Sequence, residues 1–138
     1  MTVTAENIAK IPLFGGLERR ELEAIATVFH EDAFPAGKVI VRDSDRNPSF
    51  YILTKGKAEV RRRSEVVATL TPYQFFGEIL TLGYQRERTA DVVAVEPCAC
   101  LVSGPGDMQR LLSSNISVGR RMLREMRERY KNDHPPDI

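Results

Sequence analysis

A chain of 138 residues, 42% hydrophobic and 7% aromatic, suits one domain with a modest core and no disulfide staples. Its 20 Lys and Arg against 19 Asp and Glu leave a net charge of +1, which gives no general attraction to nucleic acid or to an anionic membrane. No apolar run could span a bilayer, and the N-terminal segment lacks the basic and apolar regions of a signal peptide. We therefore expect a cytoplasmic protein that forms a single domain over residues 1–138.

Two helices are predicted within residues 1–31. The first runs from Thr4, its capping residue, to about Lys10 and ends in an apolar turn that contains proline and glycine. The second is expected from Glu18 to His30, because apolar residues recur there at the spacing of one helical face. These residues are Leu22, Ile25, Ala26 and Phe29.

Residues 32–103 are predicted to form a β-roll. Short runs rich in Val, Ile, Tyr and Phe are separated by turn residues at regular intervals, which is typical of an all-β barrel or sandwich. The predicted strands are 39–41, 50–53, 58–60, 66–70, 90–95 and 98–102. The run Arg61–Arg63 could contact nucleic acid, but a solvated hairpin end is the simpler interpretation, because no aromatic residues are interleaved with the charges.

The two cysteines, Cys98 and Cys100, are two positions apart on a predicted strand and so face the same side. A metal site would need further ligands, and His30 and His134 lie in no ligand pattern with them. We expect free thiols that pack as small apolar residues, as is usual in the cytosol, and no metal site.

The stretch 75–90 interrupts the strands and has the features of an anion cradle. Gly77 lets backbone approach backbone closely, and the apolar residues that start at Ile79 can form a short helix whose first N–H groups suit a phosphate. Arg88 could neutralise that phosphate, and Glu78 could accept hydrogen bonds from neighbouring hydroxyl groups. One anionic, hydroxyl-bearing ligand would fit these groups.

Residues 104–131 are predicted to form two helices, followed by a frayed tail at 132–138. The second helix, Ile116 to Tyr130, has one apolar stripe and a basic remainder. The stripe consists of Val118, Met122, Leu123, Met126 and Tyr130. Three roles stay open for this helix: packing on the barrel, pairing with a second copy, or binding DNA. DNA binding has the least support, because the remaining chain has no room for a helix-turn-helix.

Several short motifs follow one another along the chain in a specific order and spacing. They are Ile11-Pro12-Leu13-Phe14 with Glu21-Leu22, Phe34-Pro35-Ala36-Gly37, Phe50-Tyr51-Ile52-Leu53, Gly56 with Val60, Phe76-Gly77-Glu78-Ile79 and Arg88-Thr89-Ala90. Through these motifs the chain, from about Ile11 to Leu112, closely resembles the cyclic nucleotide-binding domain shared by catabolite activator protein, protein kinase regulatory subunits and cyclic nucleotide-gated channels. The family fold is mainly β with flanking helices, a double-stranded β-helix or jelly roll of eight strands.

In that family the Gly-Glu helix start and the later arginine form a phosphate-binding cassette, here residues 75–90. The resemblance implies that Glu78 accepts from the ribose 2′-hydroxyl and that Arg88 pairs with the cyclic phosphate. N–H groups near Ile79 and Leu80 would also meet the phosphate, and Thr89 would offer its hydroxyl to phosphate or base. The expected ligand-binding residues are Phe76, Gly77, Glu78, Ile79, Leu80, Arg88, Thr89 and Ala90. On this assignment Arg88→Ala should leave the fold intact and weaken binding by about 3 kcal/mol, roughly two decades in affinity.

Four positions depart from the usual family pattern. They are Leu80 for alanine, Thr81 for leucine, Glu87 for proline and Ser44 for glycine. Leu80 adds bulk where backbone approaches the ligand, and Glu87 adds a negative charge beside the phosphate's partner. Both are expected to weaken binding without abolishing it.

The resemblance implies a non-catalytic sensor of a cyclic nucleotide, cAMP more than cGMP, that uses no cofactor. The C-terminal helix would act as a lid through Met126 and Tyr130, and would signal to a second copy or to an effector protein. The alternative is a ligand-free interaction or dimerisation module of the same fold, in which Glu78 and Arg88 only stabilise their loop. An enzyme is the weakest hypothesis, because no paired carboxylates, Ser/His/Asp set or metal spacing appears. Neither a DNA-binding domain nor a membrane partner is expected.

Overall fold

Eight strands form two antiparallel sheets in the computed structural model, which describes residues 2–77, 88 and 90–129. The strands are β1 (His30–Phe34), β2 (Val39–Val41), β3 (Phe50–Lys55), β4 (Ala58–Arg62), β5 (Glu65–Leu70), β6 (Phe75–Phe76), β7 (Asp91–Ala94) and β8 (Cys98–Ser103). One sheet has the order β1-β8-β3-β6 and the other β2-β7-β4-β5. This β-roll with flanking helices confirms the predicted fold class.

The sheet β1-β8-β3-β6 separates two hydrophobic cores, because successive side chains of a strand point to opposite faces. In β3, Phe50 lies in a core shared with the helices, the helical core, whereas Tyr51 lies inside the roll, in the barrel core. In β6, Phe75 belongs to the helical core and Phe76 to the barrel core. The two residues of β6 therefore connect the two cores.

Helices flank the strands at both ends of the described chain. They are α1 (Ala5–Ala9), a 3-10 helix (Pro12–Phe14), α2 (Arg19–Ala26), α3 (Pro105–Ser114) and α4 (Ile116–Arg129). Thr4 caps α1 as predicted: its hydroxyl accepts from the Asn7 N–H, and the Asn7 side chain accepts from the Thr4 N–H. No helix among the described residues is long and apolar enough to cross a membrane.

The prediction that the second helix continues to His30 is wrong. The helix ends at Ala26, and His30 begins β1, which pairs in register with β8 from Val102 back to Cys98. β1 is an edge strand whose residues are mostly exposed, so it lacks the alternation that identifies a strand in a sequence. Pairing with β8 therefore decides the conformation of β1. The predicted boundary between the N-terminal helices and the β-roll, at residue 32, falls inside this strand.

The final described helix, α4, packs on the protein's own helical core. Val118 and Met122 are buried there, and Met126 lies at the margin. This agrees with the packing role, but Leu123, predicted to belong to the apolar stripe, is 52% exposed. Consecutive residues are about 100° apart around a helix, so Leu123 turns away from the face that Met122 buries. The last predicted stripe residue, Tyr130, lies outside the described residues.

The arginine run lies at the end of the β4–β5 hairpin, as the simpler interpretation predicted. Arg63 and Ser64 form the turn with φ values of 54° and 68°, and Arg62 pairs with Glu65 across it. Such a turn twists in the same sense as the strands that it joins.

Candidate ligand-binding site

Arg88 is a buried cation that the main chain holds in place. Only 3% of its surface is exposed. Its Nη1 donates to Gly77 O at 2.9 Å, and its Nη2 donates to Asn47 O at 2.8 Å and to Ser49 O at 2.6 Å. The guanidinium group stays charged in proteins and its donors form a rigid fork, so the three carbonyls fix both its position and its plane.

The backbone of Arg88 also organises the loop between β2 and β3. Its N–H donates to Asp45 O at 2.7 Å, and its C=O accepts from the Ser44 N–H at 2.8 Å. Within the loop, the Asp45 carboxylate accepts from the Asn47 N–H at 2.9 Å, and the Asn47 side chain accepts from the Ser49 N–H at 3.1 Å. Arg88 and the loop residues that it bonds, residues 44–49, therefore form one hydrogen-bonded group, which we call the Arg88 unit.

Gly77 lies in direct contact with that unit. Its φ is +88°, in the region that favours glycine. A Cβ atom at this position would lie 2.8 Å from Ser49 O and 2.9 Å from Arg88 Nη1, both shorter than Cβ contacts in real proteins. Any side chain here would displace the loop carbonyl or the guanidinium group, so backbone conformation and packing both require glycine.

Two stacked aromatic rings lie next to this contact. The ring of Phe76 stacks on that of Tyr51, with centroids 4.8 Å apart and planes 3° apart. Burial raises the pKa of Tyr51, and the positive charge of Arg88 opposes that rise. On the other face of β6, Phe75 packs against Phe50 with centroids 5.7 Å apart. A displacement at Gly77 would therefore reach both cores through β6.

Four of the predicted ligand-binding residues lie together. Arg88 contacts Gly77, while Phe76 and Ala90 are buried in the barrel core. The predicted residues Glu78, Ile79, Leu80, Thr89 and Tyr130, and the departures Thr81 and Glu87, lie outside the described residues. Met126, the other lid candidate, packs on the helical core and not in the barrel core to which Phe76 and Ala90 belong.

Three residues that contribute to the site were not predicted from the sequence. Asn47 and Ser49 act through main-chain carbonyls, which every residue carries, so no side-chain pattern identifies that role. The available signal is the succession of short polar residues in the loop, which is typical of side chains that bond to nearby backbone. Tyr51 was quoted for the family resemblance, but only as part of a strand.

The two thiols pack in the barrel core, as predicted. The single S–H of Cys98 is shared between two carbonyl acceptors, Lys57 O and Glu96 O, each 3.2 Å from Sγ. Burial raises the pKa of Cys98, and it raises that of Cys100 to about 12. In the described part of the chain, no group of His, Cys, Asp or Glu side chains could hold a metal ion; His134 lies outside that part.

The sequence profile of the cyclic nucleotide-binding domain matches residues 31–115. The chain belongs to the cyclic nucleotide-binding domain family. The match includes the loop that Arg88 holds, Gly77 and Arg88 itself, so the buried unit described above lies within the family domain. This confirms the resemblance on which the sequence-based prediction relied.

Two curated relatives are regulatory or kinase proteins of much greater length. A cAMP-dependent protein kinase regulatory subunit of Schizosaccharomyces pombe is 29% identical over 118 residues, which are 85% of this chain and 28% of that protein. A cGMP-dependent protein kinase of Eimeria tenella is 30% identical over 124 residues, 83% of this chain and 12% of that protein. The chain thus spans less than a third of either relative.

Solved structures of the family share this domain's fold. The catabolite activator protein of Thermus thermophilus is 28% identical with a TM-score of 0.76, over 87% of this chain and 58% of that one. A cAMP-binding acyltransferase from Mycobacterium smegmatis, solved as a point mutant, is 25% identical with a TM-score of 0.79, over 92% of this chain and 40% of that one. The domain is therefore found in proteins with different additional parts.

Proposed function

We propose that this chain is a non-catalytic sensor of a cyclic nucleotide, with cAMP preferred over cGMP. The observation that carries the proposal is the fixed, buried guanidinium group of Arg88 in contact with Gly77, inside a domain of the cyclic nucleotide-binding family. Because main-chain carbonyls already hold the charged guanidinium group of Arg88, it is preorganised for a phosphate. Ligand binding then loses little side-chain entropy at this residue. The relatives named for cAMP support cAMP as the first choice.

In the proposed complex, Arg88 faces the cyclic phosphate and Glu78 accepts from the ribose 2′-hydroxyl. Backbone N–H groups near Ile79 and Leu80 meet the phosphate oxygens, and Thr89 donates its hydroxyl to phosphate or base. These roles come from position in the family motif. The glycine at 77 supports them, because only a residue without a side chain leaves the guanidinium group where it is.

The signal would travel through β6 to the C-terminal helix. Phe76 lies in the barrel core and Phe75 in the helical core, where Val118 and Met122 of α4 are also buried. For Met126 to cover a bound base, α4 would have to leave part of this core. The ligand can drive that change only by its difference in affinity for the two positions of α4.

One observation favours the second candidate, a ligand-free interaction module of the same fold. The three carbonyls bonded by Arg88 give this residue a structural role that needs no ligand. A chain that had lost nucleotide binding would keep Arg88 for the sake of its loop. Retention of the arginine therefore does not by itself distinguish the two functions, whereas ligand titration does.

Calorimetric titration of the complete chain with cAMP, cGMP and 5′-AMP tests the proposal. We expect both cyclic nucleotides to bind, cAMP more tightly, and 5′-AMP to bind at least about tenfold more weakly because its phosphate has a different shape and charge. Absence of binding by both cyclic nucleotides at millimolar concentration would favour the interaction module.

The lid role of Met126 is tested by comparing Met126→Ala with Leu123→Ala, which changes the exposed side of α4. If Met126 covers the base, Met126→Ala should lower the affinity for cAMP and Leu123→Ala should leave it unchanged.

Truncation after Ser114 would be a poor test of the lid. It removes Val118 and Met122, which are 0% and 2% exposed in the helical core. Loss of two such side chains costs several kcal/mol, on the order of the whole stability of a small domain. A change in affinity could then reflect unfolding, so single substitutions at the margin of α4 are the better choice.

A further inference from the structure

The side of α4 that points away from the core carries two large exposed apolar side chains. Ile116 is 67% exposed and Leu123 is 52% exposed. They are seven residues apart, which places them on the same helical face after two turns. Gly119, between them in the sequence, adds no bulk: a Cβ atom there would meet only Leu112 Cδ2, at 3.9 Å. This leaves a narrow apolar seam open to solvent.

A row of basic side chains borders this seam. Arg120 and Arg127 follow Ile116 and Leu123 by four residues each, so they lie beside them on the same face, and both are exposed. Neither belongs to an ion pair among the described residues. We call Ile116, Arg120, Leu123 and Arg127 the outer face of α4.

The acidic residues of the helix lie elsewhere. Glu125 and Glu128, together with Arg124, line a groove of about 590 Å³ against Pro12 and Tyr73, on another side of α4. The groove therefore carries both signs of charge, whereas the outer face carries two arginines and no acidic residue. The positive charge of the outer face indicates a negatively charged partner.

We propose that the outer face of α4 binds an amphipathic helix that has an apolar seam and an acidic border. Apolar residues seven apart would pack against the partner's seam, and Arg120 and Arg127 would pair with its carboxylates. A second copy of this chain fits poorly, because its outer face carries the same positive charge and offers no carboxylates to Arg120 and Arg127. A bilayer also fits poorly, because the other half of α4 is buried and the exposed apolar strip is too narrow to insert. The proposal goes beyond nucleotide binding and does not depend on it.

The test uses the complete chain without nucleotide and two synthetic peptides of about three heptads, with leucine seams and either glutamate or lysine borders. Fluorescence anisotropy should show binding of the glutamate peptide and at least about tenfold weaker binding of the lysine peptide. Leu123→Ser should weaken the glutamate complex about tenfold or more. Val66→Ser is the matched control, because Val66 is also 52% exposed but lies on β5, and it should leave binding unchanged.

Charge reversal gives a second, independent readout. Arg120→Glu combined with Arg127→Glu should reverse the preference, so that the lysine peptide binds more tightly. Equal binding of the two peptides by the wild type, no binding of either at millimolar concentration, or equal effects of Leu123→Ser and Val66→Ser would overturn the proposal. Light scattering that shows a dimer dependent on Ile116 and Leu123 would replace it with self-association. Tighter binding to anionic lipid vesicles than to the glutamate peptide would replace it with a membrane surface.

Discussion

Replacing Gly77 by alanine separates the two reasons why that position needs glycine, because Gly37 offers a matched control. Both glycines have a φ of +88°. A Cβ atom at Gly37 meets nothing within 4 Å, whereas at Gly77 it would lie 2.8 Å from Ser49 O and 2.9 Å from Arg88 Nη1. The two substitutions therefore share the backbone cost and differ in the contact with the Arg88 unit.

The expected magnitudes follow from these contacts. An alanine at positive φ costs about 1–2 kcal/mol, and the reduced freedom of the unfolded chain returns about 0.4–1 kcal/mol. Gly37→Ala should therefore lower the free energy of unfolding by about 1 kcal/mol. Gly77→Ala adds the cost of overpacking against a carbonyl and a buried cation, about 1–3 kcal/mol, for a total of about 3 kcal/mol.

Urea denaturation with linear extrapolation measures both free energies, and an unchanged m-value shows that the two-state comparison holds. The melting temperature should fall by roughly 10 °C for Gly77→Ala and by roughly 4 °C for Gly37→Ala. If the two free energies of unfolding differ by less than about 0.5 kcal/mol, the contact between position 77 and the Arg88 unit has no energetic weight. The reasoning about the site would then be refuted.

Three further outcomes are expected. Arg88→Ala should lower the free energy of unfolding by about 3 kcal/mol in urea melts, since three carbonyls lose a charged donor, while Arg61→Ala on the surface should cost less than about 1 kcal/mol. Cys100, whose pKa burial raises from 9.0 to about 12, contributes stability that is fully present below pH 9 and is lost as the pH rises toward 12. The free energy of unfolding should thus fall by up to about 1.4 kcal/mol per pH unit above pH 9, and Cys100→Ala should reduce that slope. Arg121→Met should lower stability by about 1–2 kcal/mol and increase proteolysis of α4, because Arg121 Nη1 donates to Gly15 O; Arg120→Met, on the outer face, should not.

The first of these expected outcomes differs from the expectation drawn from the sequence. Arg88 was predicted to be a ligand group whose removal leaves the fold intact. Its three bonds to carbonyls make it part of the fold, so any loss of affinity in Arg88→Ala must be corrected for the fraction of unfolded protein. Arg88→Lys is a useful companion, because lysine keeps the charge but lacks the fork that reaches carbonyls on two sides.

Local patterns were sufficient to predict much of the fold and the centre of the site. The strands, the Thr4 cap and the placement of Gly77 and Arg88 in one site depend on residues whose chemistry is visible in the sequence. The two errors, the end of the second helix and the burial of Leu123, concern how elements pack against distant parts of the chain. β1 is a strand only because it pairs with β8, and Leu123 is exposed because its neighbour Met122 occupies the buried face.

The part of the site that the sequence did not reveal is made of main chain. Asn47 and Ser49 contribute carbonyls, and their positions follow from the path of a loop that is closed by the backbone of Arg88. Side-chain patterns cannot identify such groups before the loop is folded, because every residue carries a carbonyl. The same argument explains why the three carbonyl acceptors of Arg88 were not expected from the sequence.

The most direct test of the account is a titration with cAMP followed by NMR on the isotope-labelled complete chain, observing the guanidinium resonance of Arg88 and the backbone amide of Gly77. A phosphate bound at the site would change both resonances in a saturable manner and leave the amide of Gly37, at the same φ but without the contact, unchanged. No change at millimolar cAMP, or saturable changes that spare Arg88 and Gly77, would contradict the claim that this unit holds the cyclic phosphate.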